Sequence, residues 1–176
     1  WQSINRDEPL IPLRVFADRN FSVCSIGIAA MGFVSPAMLL PIVFYAQTVW
    51  DLTPLQSALL TSPNPLVSGL VAPLVGRIVD TRPPRPIVGF GFAGVTISLI
   101  CISAAMSRDA PVWWLLAPMA LYGVATSFVW EPTAAIATRG LPPDLVGAAA
   151  GVYSATRHTG STLGSAGVAA LMSSRT

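Results

Sequence analysis

Residues 21–49 carry no charged side chain. That run constrains the fold more than any other feature, because about 20 apolar residues in a helix cross the ~30 Å hydrocarbon core of a bilayer. Similar runs follow at about 54–79, 87–106, 112–138 and 145–172, and their only charged residues are Arg77, Glu131 and Arg157. In lipid each backbone N–H and C=O must find its partner inside the protein, so such runs are helices. The expected fold is an all-α membrane protein with about five transmembrane helices. Residues 1–20 form a polar N-terminal segment, and 21–172 form the bundle.

Composition agrees. Hydrophobic residues make up 53% of the chain and charged residues 10%, against roughly 25% charged in soluble domains. Every basic residue is an arginine, and no basic stripe interleaves with aromatics, which excludes nucleic acid as a partner. Cys24 and Cys101 lie in apolar runs without metal-ligand spacing or a disulfide framework. They are expected to be small core- or lipid-facing residues. His158 has no companion ligands, so neither a metal site nor a cofactor is expected. The start has no basic region ahead of an apolar core, unlike a signal peptide, and the chain reads as a piece of something longer.

The polar breaks have local signatures. Thr53 is placed as an N-cap, Pro54 suits the first helical position, and Gln56 completes a capping box. Pro36 and Pro41 predict kinks in the first span, and Pro63, Pro65, Gly69 and Pro73 break up the second. Asp109 caps the fourth span, where Trp113 and Trp114 sit at headgroup level. Arg6, Arg14, Arg19, Arg77, Arg82, Arg85 and Arg139 fall on one side of the membrane, and Arg108 and Arg175 on the other. The positive-inside rule makes the first side cytoplasmic. The N-terminus is therefore expected inside a plasma membrane and the C-terminus outside. Loops this short leave no room for a catalytic domain. No nucleophile–base or metal constellation is present, so an enzyme is not expected.

The most distinctive loop is Gly76-Arg77-Ile78-Val79-Asp80-Thr81-Arg82-Pro83-Pro84-Arg85-Pro86. Gly76 would let helices approach closely. Asp80, with Arg82 and Arg85 across a short loop, forms a candidate conformational latch. The plainer alternative is a positive-inside loop with an incidental acid. The stretch resembles the Gly-x-Leu-Ala-Asp-Arg-x-Gly-Arg-Lys loop in the C-terminal half of the major facilitator superfamily. Leu40-Pro41-Ile42-Val43-Phe44-Tyr45-Ala46-Gln47, Leu52-Thr53-Pro54-Leu55-Gln56-Ser57-Ala58-Leu59-Leu60 and Arg157-His158-Thr159-Gly160-Ser161-Thr162-Leu163-Gly164 resemble its fourteen-span drug/proton antiporter branch. Thr81, Pro83, Asp51 and His158 stand where that pattern has Arg, Gly, Gly and Gln. The resemblance implies the first five helices of a C-terminal bundle. The sixth helix and the N-terminal bundle would then be missing spans that act as partners.

Charges inside spans are costly and face a bundle interior or a watery path. Glu131 shares a helix face with Ala120, Val124, Ser127 and Ala135, and Arg157 shares one with Gly160, Ser161 and Gly164. Glu131 would lie ~10 Å and Arg157 ~18 Å from the cytoplasmic edge. They could pair, act separately in a substrate or proton path, or snorkel to the interface. A carboxyl shielded from water is a candidate proton carrier. Gln47, Tyr45 and Asn64 either line a cavity or bond between helices. Gly147 and Gly151, and Gly160 and Gly164, are GxxxG pairs on nearly opposite sides of the fifth span, so tight packing is expected on both. The resemblance implies a secondary transporter that exports drug-like molecules or small metabolites in exchange for protons. A non-transporting module, or a truncated remnant assembling with partner spans, is the alternative.

Overall fold

The computed structural model describes residues 16, 18–106, 111–138 and 142–174, without the side chains of 138, 143 and 144. Its regular elements are all helical: α1 Arg19–Thr48, α2 Pro54–Thr61, α3 Pro63–Thr81, α4 Pro84–Ala105, α5 Leu116–Thr138 and α6 Pro143–Ser173, with a 3-10 turn Val112–Leu115 leading into α5. Arg19–Thr48, Pro54–Thr81, Pro84–Ala105 and Val112–Ala137 are long and apolar enough to cross a membrane. The protein is an all-α, multi-pass membrane protein. At 31 residues α6 has the length, but its hydroxyls, Arg157 and His158 keep it off that set. Most of the expected N-terminal segment, Arg108, the Asp109 cap, Arg139 and Arg175 lie outside the described residues.

The chain divides into two compact units, one made of residues 1–37 and 133–176, the other of 38–132. The division passes through α1 and α5 rather than through loops.

In the first unit, α1 starts earlier than its apolar run. The carboxylate of Asp18 accepts a hydrogen bond from the Phe21 N–H at 2.9 Å, which supplies one of the partners a helix start lacks. Phe21, Cys24, Ala137, Ala149 and Val152 form its core, with Ile136 and Tyr153 packed against them. Phe21, Cys24, Ser25, Ile28 and Met31 are buried, whereas Val23 and Ile26 are exposed. The three- and four-residue spacing of the buried set marks one helix face. The exposed apolar face suits lipid tails.

In the second unit, α2 begins at the expected capping box. The Thr53 N–H donates to Gln56 Oε1 at 2.9 Å, and the Gln56 N–H donates to Thr53 Oγ1 at 3.3 Å. The helix break falls at Ser62 alone. Pro65, Gly69 and Pro73, read from sequence as further breaks, lie within continuous α3. Pro63 and Pro65 occupy its first turn, where backbone N–H groups have no helical acceptor to lose. Pro73 does cost an internal bond, and membrane helices tolerate this. Leu66, Leu70 and Leu74 make an exposed row on α3, while Val75 and Val79 are buried. On α4 the buried positions Ile87, Gly91, Val95, Ser98 and Ile102 form one stripe, with Phe90, Ile97 and Ile100 exposed.

Candidate functional site

In the first unit, α6 meets α1 through glycine. A Cβ on Gly160 would strike the Ala29 carbonyl oxygen, one on Gly164 the Phe33 carbonyl oxygen, and one on Gly32 the Arg157 carbonyl oxygen. The two backbones are therefore in direct contact, as small residues permit in membrane helices. Gly32 escaped sequence reasoning. It has no glycine partner at four-residue spacing on α1, and only the small residues around it hint at a crossing.

The other pair on α6 behaves differently. No atom among the described residues lies within 4 Å of a Cβ built on Gly147 or Gly151. Among the described residues, close packing is therefore made on the Gly160–Gly164 side of α6 and not on the Gly147–Gly151 side. The physical reason is the company these glycines keep, since their face continues into exposed Ser154, His158 and Thr162. Beside the crossing, Phe33 of α1 and Val152, Ala155, Thr159 and Leu163 of α6 line an apolar groove of about 770 Å³. Arg157 and His158 are exposed, with Arg157 Nη2 and His158 Nε2 3.4 Å apart.

In the second unit, α5 packs through two faces. A Cβ on Gly123 would meet the Asn64 carbonyl oxygen at 2.5 Å. One turn on, Ser127 Oγ lies 3.1 Å from Ser68 Oγ and donates to the carbonyls of Gly123 and Ser68. This joins α5 to α3. The opposite face brings Val129 and Phe128 against Gly91, and Ala125 against Gly94, with Phe90 and Phe128 edge to face at 5.7 Å. This joins α5 to α4. Glu131 follows on the Ser127 face and is exposed, between half-buried Trp130 and buried Pro132. Asn64 is half-buried in the first turn of α3, and Gln47 is exposed near the end of α1. Tyr45 packs edge-on against Trp50 at 5.0 Å. Glu131 belongs to this unit and Arg157 to the other.

The α3–α4 connection is tight. Asp80 lies exposed in the last turn of α3, Arg82 is its C-cap, and exposed Arg85 sits in the first turn of α4. The Arg82 N–H donates to the Ile78 carbonyl at 2.9 Å. Thr81 turns its hydroxyl back onto the carbonyls of Arg77 and Ile78 at 3.2 Å. Among the described residues no helix approaches Gly76, and a Cβ placed there meets no side chain or neighbouring helix within 4 Å. Gly76 lies on the half-exposed side of α3, next to exposed Arg77.

A profile of the Major Facilitator Superfamily matches residues 2–173. The chain belongs to the Major Facilitator Superfamily. It is 46% identical to an uncharacterized MFS-type transporter of Mycobacterium tuberculosis, over 99% of this chain and 30% of that protein. It is 25% identical to the riboflavin transporter RibZ of Clostridioides difficile, over 94% of this chain and 36% of that one. It is likewise 25% identical to the multidrug export protein EmrB of Escherichia coli, over 93% and 32%. The chain spans about a third of the length of these curated relatives.

Two departures from the superfamily pattern have a backbone explanation. Asp51, where the pattern has glycine, holds φ at +50°. That left-handed conformation favours glycine, and aspartate is among the few other residues to adopt it. Pro83, at another glycine position, has φ −61° and ψ 125°, which suits proline without strain. Arg82 ahead of it is extended, with φ −126° and ψ 155°, as a residue before proline prefers.

Proposed function

We propose that these helices form part of a secondary active transporter that exports drug-like molecules or small metabolites in exchange for protons. The superfamily match across residues 2–173 carries this reading, and the riboflavin and multidrug transporters among the relatives support it. Transport proceeds by alternating access, with two helix bundles rocking about a site at the bilayer midplane. The transporter's further spans are the partners of this chain. The N-terminus lies in the cytoplasm, which puts the α3–α4 connection there too.

Roles follow from chemistry and position. Glu131 is the proton carrier, because a carboxylate inside a membrane helix is retained at a cost and marks ion or substrate routes. Arg157 supplies positive charge to the path. Gln47 and Asn64 add polar lining. Asp80, Arg82 and Arg85, with Gly76 one turn before, form the latch that holds one conformation.

The test is proton release on substrate addition, read with a pH-sensitive dye in everted vesicles from cells expressing these helices together with the transporter's further spans. A panel of fluorescent amphipaths headed by riboflavin serves as substrate. Glu131→Gln is expected to abolish proton release while substrate still binds. Unchanged proton-coupled flux in Glu131→Gln removes Glu131 from the mechanism, and absence of flux in the unsubstituted protein removes the transport reading.

A further inference from the structure

Helices α1 and α6 leave a trough along one side of their crossing. Ala148, Val152, Ala155, Thr159 and Leu163 line it from α6, and their three- and four-residue spacing makes them one stripe. At 1.5 Å per residue the stripe is ~22 Å long. Ala29 and Phe33 line the trough from α1, and Phe16 from ahead of that helix. Phe16 is held there, since its carbonyl accepts the Ser22 hydroxyl at 2.8 Å and its ring meets Phe21 edge-on at 5.4 Å. Two threonines of the lining, Thr156 and Thr159, donate their hydroxyl protons to the Val152 and Ala155 carbonyls, at 2.8 and 2.9 Å. The groove is thus apolar along its length, with its hydroxyl protons held by the α6 backbone.

The banks of the groove indicate what fills it. On α1, Arg19, Val23, Ile26, Ala30 and Phe33 are all exposed and share the face that Phe33 brings to the groove. Leu163 is exposed on the opposite bank. The groove therefore opens sideways into lipid tails. Helix α1 has 30 residues, or ~45 Å, which matches a bilayer with its headgroups. Arg19, its first residue, then stands at headgroup level. Phe33 lies ~21 Å further along the helix, about one headgroup layer plus one leaflet's hydrocarbon. Asp18 turns its carboxylate to the Phe21 N–H, and Arg157 and His158 do not line the groove. The cation on the exposed face of α1 is Arg19, at the shallow end.

We propose that the α1–α6 groove holds one acyl chain of a bilayer phospholipid whose phosphate is taken by Arg19. A trough that is cationic at headgroup level and apolar below has the polarity of such a lipid. A guanidinium meets phosphate oxygens through paired N–H donors. The small residues of the floor give a chain close van der Waals contact, the force that remains when hydrocarbon lies on every side. A transmembrane helix laid in the groove would gain the same contact but would leave the cation at its rim unanswered. The inference needs only that α1 crosses the membrane, and it stands apart from the transport reading.

The test is native mass spectrometry of the purified 176-residue chain released from micelles and titrated with dioleoylphosphatidylglycerol. One lipid should bind saturably above the loosely held background. Dioleoylglycerol, which lacks the phosphate, and dihexanoylphosphatidylglycerol, which lacks the long chains, should each bind about tenfold more weakly. Arg19→Gln should weaken binding of the long-chain lipid by a similar factor, about tenfold, and Arg19→Lys by less, since an ammonium still meets phosphate as a point charge. Ala155→Phe sets a ring in the groove and should also weaken binding about tenfold. Ser154→Phe, at an exposed position off the groove, should leave it unchanged. The proposal is overturned if the unsubstituted chain binds no saturable first lipid, or binds dioleoylglycerol equally well. Full binding by Arg19→Gln or Ala155→Phe overturns it, as does an equal loss in Ser154→Phe. A dimer that Ala155→Phe abolishes would assign the groove to a second copy instead. A cross-link from Ala155→Cys to another span, in cells that also express the transporter's further spans, would assign it to a helix. Either result contradicts the lipid site.

Discussion

The two units solve the same packing problem by different means. Between α1 and α6, three glycines bring backbone against backbone, and Gly32, Gly160 and Gly164 each face a carbonyl oxygen. Between α5 and its neighbours the contact is shared among Gly123, Gly91 and Gly94, the ring of Phe128, and the hydroxyls of Ser68 and Ser127. Water exclusion drives neither, since lipid is as apolar as the side chains. Close van der Waals fit and interhelical hydrogen bonds do the work. The first arrangement should fail sharply when a side chain is added. The second should lose stability by degrees.

The largest effect is expected at the glycine crossing. Gly160→Val forces a branched side chain into the Ala29 carbonyl and should cost about 3 kcal/mol, read as unfolding free energy in micelles. A cost as small as that of a surface substitution would break the contrast between the units. Ser127→Ala comes next. It removes the bond to Ser68 and should cost about 0.6 kcal/mol, the usual worth of an interhelical hydrogen bond in a membrane. A cost matching that of Gly160→Val would mean that α3 and α5 depend on one hydroxyl pair. Gly151→Ala is the smallest. Its Cβ enters open space, so the variant should be neutral or more stable by up to about 1 kcal/mol from helix propensity.

Much of the fold was legible because it is written locally. The Thr53–Gln56 capping box and the apolar runs need only nearest neighbours along the chain. The start of α1 was also local but was passed over. Asp18 is a good N-cap, yet it is followed by Arg19 and Asn20, which read as part of a polar tail. The prolines misled in the other direction, because a proline in a first turn and one in a helix interior look alike until the helix start is fixed.

The candidate site was legible in identity and less so in arrangement. Glu131 and Arg157 stand out in any apolar span. The Gly160–Gly164 pair meets α1, whereas the equally regular Gly147–Gly151 pair meets no partner helix among the described residues. Spacing alone could not separate them, because the difference lies in what α1 presents. Gly32 became visible only once two helices were set side by side.

In the transporter proposed above, the side of α6 that carries Ser154, Arg157 and Thr162 faces a water-filled path, and exposed Leu163, beside the apolar groove, does not. Thiol labelling tests it most directly. Cys24 and Cys101, both free, are first replaced by serine, and single cysteines are then placed at Ser154, Thr162 and exposed Leu163 of the protein in membrane vesicles. A charged, membrane-impermeant maleimide should modify positions 154 and 162 about tenfold faster than 163, since a path that holds Arg157 is hydrated and a lipid-facing leucine position is not. Equal, slow labelling at all three positions would contradict the account.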